Sequence, residues 1–271
     1  MLRLLCNPDE APALAFAVPF FAGVYPGRLD NFIDWSAFHY GGYARHELLL
    51  LGDVAAALRR SESRAPSFFD VGANIGNHAL FMALQGCAVF AFEPYAPVRE
   101  ELRRKFAANP ALSVRVFDFG LAERDALLRF RAPSGSNRGT GSFAEEGGPA
   151  ELALPVRRGD AALAEIGSPK IDILKIDVEG FEGQVLAGLA RSISKDRPVI
   201  LFELSQRTRD SLGAPEALDG LLYPNRQLWS VETRSVSGPY RLRAFDFGSA
   251  SEVLVVPAER RAALAATVAG L

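Results

Sequence analysis

Two cysteines in 271 residues, Cys6 and Cys87, are too few for a disulfide framework. Cys87 sits in the apolar run before Glu93, where a buried thiol in a reducing compartment is expected. Long hydrophobic runs are missing too. The apolar stretch 11–24 is broken by Pro12, Pro19 and Gly23, too short and too kinked to cross a bilayer. No signal peptide is expected, because Arg3 is the one basic residue ahead of an interruption by Pro8, Asp9 and Glu10. Charge of a single sign is absent as well: 30 Lys and Arg face 32 Asp and Glu, a formal net charge of −2. The basic residues are scattered, so the stripe that nucleic acid requires is not present. Histidine is scarce, and His39, His46 and His78 have neither metal-pair spacing nor a Ser-His-Asp arrangement. A cytoplasmic protein with no membrane span and no nucleic-acid partner is the expectation, with the oligomeric state, including a homo-oligomer, left open.

What the chain does have is apolar content of 49%, ample for a large core. Residues 1–45 are rich in aromatics, Pro and Gly without a clean period, and read as a cap with a short strand near 16–20. Residues 45–60 fit a helix with Leu48, Leu51, Val54, Ala55 and Leu58 on one face. We therefore divide the chain into a cap with lead-in helix, 1–60, and a main domain, 61–271. From Ser67 onward, short apolar strands alternate with helices, which argues for a sheet covered on both faces. Strands are expected at 67–71, 88–92, 113–118, 171–176, 198–204, 227–233 and 252–256, the last pair antiparallel. Helices are expected near 77–84, 97–109, 160–166, 181–193 and 215–222. Segments 126–131 and 153–158 alternate and can pair as an added hairpin around the Gly/Ser-rich loop 134–148.

Two segments carry chemistry. The first, Phe68-Phe-Asp-Val-Gly-Ala-Asn-Ile-Gly-Asn, is a buried strand ending in an acid and running into a glycine-punctuated turn. In an open α/β sheet ligands bind beyond the carboxyl ends of the strands. Gly72 and Gly76 would let the backbone pass close to such a ligand, but Asn74 replaces the middle glycine of a dinucleotide turn. An acid, Asp70, in front of the glycines suits the ammonium of S-adenosylmethionine rather than a pyrophosphate. Glu93, ending the next strand, is suited to accept both ribose hydroxyls, and Asp118, ending the third, to meet the adenine amino group. The plainer alternatives are a turn or helix-capping acid for Asp70 and a surface acid for Glu93.

The second segment is Ile171-Asp-Ile-Leu-Lys-Ile-Asp-Val-Glu-Gly-Phe-Glu-Gly. Lys175 interrupts a buried strand and must be paired there; Glu203 on the neighbouring strand is the expected partner. Asp177 lies at the strand's carboxyl end, and with Glu179 could orient and deprotonate a hydroxyl nucleophile. Glu182 reads as a structural acid at the next helix N-terminus. A divalent-metal set of Asp177, Glu179 and Glu203 is conceivable, but none is assigned. His78, in the first turn after Gly76, could reach the cofactor pocket, although a packing role is more common.

At these residues the chain resembles the FkbM family of S-adenosylmethionine-dependent methyltransferases. The resemblance rests on Asp70-Val-Gly-Ala-Asn-Ile-Gly-Asn-His, Ala91-Phe-Glu-Pro and Asp172-Ile-Leu-Lys-Ile-Asp-Val-Glu-Gly-Phe-Glu, and covers about residues 67–205. Weaker likenesses are Gly139-Thr-Gly-Ser, residues 156–163, and Val18-Pro-Phe-Phe with Leu29-Asp-Asn-Phe-Ile-Asp-Trp in the cap. The resemblance implies a class I, Rossmann-like methyltransferase fold, a doubly wound seven-stranded sheet with its last strand antiparallel. It also implies O-methylation of a hydroxyl on a sugar, glycan or polyketide-type natural product. The order Leu121-Ala-Glu-Arg-Asp departs from the family pattern at the adenine contact. On this reading Asp70, Gly72, Asn74, Gly76, Glu93 and Asp118 hold the cofactor, and Asp177, Glu179 and Lys175 serve the acceptor. The alternatives are a non-catalytic cofactor-binding or assembly subunit, with the aromatic cap as its docking surface, and an NAD- or nucleotide-dependent α/β enzyme.

Overall fold

Period-two alternation of apolar side chains builds the sheet, and the same alternation decides which polar residues meet at its edge. The computed structural model describes residues 9–131, 142–143 and 152–271. A hairpin, β1 (Ala15–Phe20) and β2 (Gly23–Arg28), leads into helices α1 (Phe32–Tyr40) and α2 (Arg45–Glu62). Then come β3 (Ser67–Val71), α3 (Asn77–Leu84), β4 (Ala88–Phe92), α4 (Ala96–Ala107) and β5 (Val114–Phe117). A side sheet follows, of β6 (Gly120–Ala122), β7 (Ala126–Arg131), β8 (Ser142–Phe143) and β9 (Leu152–Arg158). The main sheet resumes through α5 (Gly159–Glu165), β10 (Ile173–Ile176), α6 (Glu182–Gly188), α7 (Ala190–Asp196) and β11 (Val199–Glu203). Helices α8 (Gln206–Leu212) and α9 (Ala217–Leu221) precede β12 (Arg226–Thr233), β13 (Tyr240–Ala244), β14 (Glu252–Pro257) and α10 (Arg261–Ala265).

The main sheet has the order β13-β12-β14-β11-β10-β3-β4-β5. Strands β5, β4, β3, β10 and β11 are parallel, and β14 runs antiparallel to both β11 and β12. The sheet thus has eight strands where seven were expected, because residues 240–244 fold back on β12 as an edge strand. The last strand is antiparallel, as expected. Chain order reverses at β3, with β4 and β5 on one side and β10 and β11 on the other, which places the switch-point crevice beyond the carboxyl end of β3.

Phe68, Val89, Ala91, Ile173, Val199, Leu201 and Leu254 pack on one face with α2, α3 and α4. Phe69, Val71, Phe90, Phe92, Leu174, Ile176, Ile200, Phe202 and Val253 pack on the other with α5, α6 and α9. The lead-in helix shares the core of the first face: Leu48, Leu51, Val54, Ala55 and Leu58 of α2 are buried with it.

The N-terminal hairpin is fixed by buried polar contacts. The Asn109 side chain accepts from Val24 N at 3.0 Å and donates to Val24 O at 2.7 Å. Lys105 Nζ donates to Asp34 Oδ1 at 2.9 Å, with both side chains 1% exposed, so each charge has its partner where an unpaired one would be costly. Helix α1 starts at Asn31, whose side chain accepts from Ile33 N and Asp34 N, and ends at Gly41 in the left-handed region (φ 74°). Leu14, Phe21, Val24, Phe38 and Tyr40 remain exposed on this N-terminal segment.

Strand β2 and helices α1 and α8 are not legible in the apolar period. The expected helix 181–193 is two short helices meeting at Leu189. The expected pairing of 126–131 with 153–158 is present as β7 against β9. Cys87 is buried, and burial pushes its thiol up to about 12. The expectations for Cys6 and most of loop 134–148 fall outside the described residues. Among the described residues, no helix is long and apolar enough to cross a membrane.

Candidate active site

Beyond the carboxyl ends of β4, β3, β10 and β11, and reaching the start of β14, lies a cavity of about 240 Å³. Five adjacent strand ends at about 4.8 Å each make it roughly 19 Å long. Its chemistry follows from the alternation. Asp70, Lys175, Glu203 and Glu252 each continue the rows of residues that face α2 and α3, and Glu93 extends the row of Val89 and Ala91. One sheet face therefore delivers Glu93, Lys175, Glu203 and Glu252 to the same space, while Asp70 stops short of its lining.

At the β4 end, the turn after β3 passes through three left-handed positions, Gly72 (φ 82°), Asn74 (φ 50°) and Gly76 (φ 83°). Asn74 tolerates this through its side chain, whose Oδ1 accepts from Ile75 N at 2.8 Å. The turn presents Asn74 N to Glu93 Oε2 at 2.9 Å, and Tyr95 N reaches Glu93 Oε1 at 2.8 Å. Glu93 is 7% exposed, and burial lifts its carboxyl to about 7 in spite of these donors. Tyr95, Val98, Leu121, Phe130, Leu154 and Val156 give this end an apolar wall, with the rings of Tyr95 and Phe130 5.1 Å apart.

Packing of the protein itself requires both glycines. A Cβ on Gly72 would lie 1.9 Å from the carbonyl oxygen of Asp177, and one on Gly76 would lie 2.7 Å from Leu102 Cγ. Gly72 and Asn74 line the cavity with Glu93, whereas Asp70 and Gly76 lie behind its wall. Asp118 is exposed and outside the lining. Asp70 is 1% exposed with neither carboxylate oxygen hydrogen-bonded. Burial raises its pKa, against the pull of Lys175 and His78.

At the other end stand Tyr43, Glu47, His78, Lys175, Asp177, Glu179, Glu203 and Glu252. Lys175 is 3% exposed and donates to Asp177 Oδ2 at 3.0 Å, not to Glu203. Register explains the correction: Lys175 lies beside Asp70 on β3 and Leu201 on β11, so Glu203 is two residues further along. Desolvation opposes the Lys175 charge, but Asp177, Asp70 and Glu47 outweigh it and raise its pKa. Glu182 is structural, accepting from Val178 N, Gly180 N and Thr208 Oγ1. Glu179 is held at a left-handed position (φ 55°) that turns it into the cavity.

Burial and mutual repulsion push Glu179 to about 7, Glu203 to about 8 and Glu252 to about 7. These carboxyls and Glu93 keep protons in the folded chain that the unfolded chain has released above its ordinary value of 4.5. Their contribution to stability is therefore complete below that value and is lost as pH rises through about 7 to 8. Thermal melts of the ligand-free protein should show Tm falling between about pH 5 and about pH 8, with a smaller fall in Glu203→Gln. A flat or rising profile would refute the crowding.

Sequence reasoning did not single out Glu47, Glu252 or Tyr43. Glu47 Oε2 lies 3.2 Å from His78 Nε2, and Glu252 makes a 3.2 Å contact with His46 Nε2. The usable signal was parity: Glu203 and Glu252 are direct partners across β11 and β14. The metal set Asp177, Glu179 and Glu203 is not assembled. Among the described residues the acids and histidines that converge are His46, Glu47 and Glu252.

Comparison with known proteins bears on what such a cavity does. Residues 70–223 match the model of the methyltransferase FkbM domain. The chain belongs to the FkbM methyltransferase family. The chain is 32% identical over 193 residues to the AMB antimetabolite synthetase AmbE of Pseudomonas aeruginosa, covering 56% of this chain and 9% of AmbE. It is 28% identical over 149 residues to the hexuronic acid methyltransferase AglP of Haloferax volcanii, covering 55% and 60%. It is 26% identical over 201 residues to the 2-O-methyltransferase NoeI of Sinorhizobium fredii, covering 67% and 81%. The alignments thus span less than two thirds of AmbE and of AglP. Among solved structures, the FkbM methyltransferase of Methylobacillus flagellatus is similar at a TM-score of 0.47 and 16% identity, over 82% of this chain and 53% of that one. The FkbM match takes in the Asp70 turn, Glu93, Lys175, Asp177 and Glu203, but leaves out Tyr43, Glu47 and Glu252.

Proposed function

We propose that this FkbM methyltransferase transfers a methyl group from S-adenosylmethionine to a hydroxyl oxygen of a sugar, glycan or polyketide-type acceptor. The observation that carries the reading is that one cavity joins a Glu93 carboxylate anchored by two backbone amides to the Lys175–Asp177 pair. The residues fit the cofactor. Asp70 is a buried carboxylate without a hydrogen-bond partner, suited to the cofactor's ammonium through an intervening water. Glu93 keeps a free lone pair on each oxygen for a ribose hydroxyl, and the apolar wall of Tyr95, Val98, Phe130 and Leu154 suits a flat base. When bound, the cofactor supplies an electrophilic methyl carbon.

The chain's own part is positioning and proton handling. Asp177, fixed by Lys175, orients the acceptor hydroxyl and receives its proton as the oxygen attacks in line. Glu179 stands beside it as a second acceptor of hydrogen bonds from the hydroxyl compound. Holding the reacting groups in line is worth up to about 7–11 kcal/mol of the barrier. The name of AglP, a hexuronic acid methyltransferase, supports a sugar-type acceptor, and that of NoeI, a 2-O-methyltransferase, supports transfer to oxygen. Ile33, Tyr43 and Glu47 of the N-terminal segment help to wall the cavity, which favours catalysis over a purely docking role for the cap.

The test is calorimetric titration with S-adenosylhomocysteine, NAD and ATP, on the wild type and on Glu93→Ala. Charge-assisted bonds to the ribose of about 1.5–3 kcal/mol predict selective binding of S-adenosylhomocysteine, weakened about ten- to a hundredfold in the variant. Tighter binding of NAD or ATP would overturn the cofactor assignment.

A further inference from the structure

We propose that His46, Glu47 and Glu252 form a binding site for one divalent first-row transition-metal ion, of the Mn²⁺ or Zn²⁺ class, at the acid-rich end of the cavity. The donors come from the first turn of α2 and the first residue of β14, elements 190 or more residues apart that the fold brings together. Their ligating atoms all lie within 4.8 Å of one another.

The separations fit shared coordination as well as the ion pair that His46 and Glu252 form without a metal. His46 Nε2 is 3.2 Å from both Glu252 Oε1 and Glu252 Oε2, an equidistant approach to a carboxylate. Charge-assisted N–H···O bonds are shorter, at about 2.7–2.9 Å. Two donors bound to one ion at about 2.0–2.2 Å stand roughly 2.8–3.6 Å apart at octahedral or tetrahedral angles, a range that includes 3.2 Å. A neutral imidazole with two carboxylates balances the charge of a divalent ion, and this mixed donor set suits Mn²⁺ or Zn²⁺ better than an all-oxygen ion.

A second observation comes from the side chains that surround the trio. The His78 side chain is 8% exposed, and its buried Nε2 has no hydrogen bond although Glu47 Oε2 lies 3.2 Å away. At that distance the shortfall is one of alignment. Glu203, the direct cross-strand partner of Glu252, likewise buries Oε2 without a hydrogen bond. Two carboxylates directly opposite in a sheet repel once both have lost their protons, and a cation on Glu252 relieves that repulsion. The chain also enters α2 through Ala44 in the left-handed region (φ 46°), a strained conformation for a non-glycine residue that sets the direction of the turn bearing His46 and Glu47. An ion here would leave coordination positions for an acceptor hydroxyl. That last role rests on the methyl-transfer reading; the binding itself does not.

The experiment is titration of chelator-stripped protein with Mn²⁺, followed by the electron paramagnetic resonance signal of the free ion, on the wild type, Glu252→Gln, His46→Gln and His39→Gln. The expected result is one Mn²⁺ per chain, weakened about a hundredfold or more in the first two variants and unchanged in His39→Gln. Circular dichroism checks that each variant is folded, and either of the first two suffices if the other is not. Absence of stoichiometric binding, or equal weakening in all three variants, would overturn the site. Neither result depends on S-adenosylhomocysteine binding, which tests the cofactor reading separately.

Discussion

Asp177→Asn is expected to lower turnover by about 10²–10⁴-fold while leaving the affinity for S-adenosylhomocysteine nearly unchanged. The amide keeps the size of the side chain and an oxygen for Lys175, but it cannot take a proton from a hydroxyl. Lys175 stays next to Asp70 across the β3–β10 ladder, so the buried ammonium is not stranded and the fold should persist. Glu93, which we assign to the ribose, lies two strands away on β4 and does not contact Asp177. The measurement is S-adenosylhomocysteine release with a panel of hexoses and hydroxylated natural products, alongside calorimetry with S-adenosylhomocysteine alone. If turnover and affinity fall together, Asp177 is part of the cofactor site and the proton-acceptor role belongs elsewhere.

The two halves of this site were unequally legible in the sequence. Asp70, Gly72 and Asn74 fall within a few consecutive residues, and so do Lys175, Asp177 and Glu179, so strand-end chemistry could be read from local order. Glu93 was legible because β4 follows β3 after a single helix. Glu252 and Glu47 were not, since each acquires its place only when β14 inserts between β11 and β12 and α2 packs across the face. An inserted antiparallel strand leaves no mark in local propensity. The Lys175 partner failed for a related reason: the sequence shows that a buried lysine needs an acid, but register decides which one. The cap was harder still. Its α1 is fixed by an asparagine cap and a buried Lys105–Asp34 pair that joins segments 71 residues apart, features with no apolar period to announce them.

The glycines have two explanations, close passage of a ligand and close packing of the protein itself, and Gly72→Ala separates them. If Gly72 served only to admit a ligand, alanine would weaken cofactor binding and leave the free protein as stable as before. Its added Cβ would instead stand 1.9 Å from the Asp177 carbonyl, at a residue whose N–H bonds Val71 O at 3.0 Å and ties β10 to β3. Backbone on both sides leaves no flexible side chain to yield. The left-handed φ of 82° alone costs alanine about 1–2 kcal/mol, and the collision brings the expected total to about 3–5 kcal/mol. For a chain of this size that is a Tm loss of roughly 10 °C. Gly167→Ala is the control, since Gly167 also has a positive φ (96°) with nothing within 4 Å of the added Cβ. It should lose only the conformational part, about 1–2 kcal/mol. Equal losses in the two variants would mean that the turn relaxes away from Asp177. A much larger loss in Gly72→Ala would establish that the turn after β3 and the residues after β10 pack too closely here to relax, so that neither can move without the other.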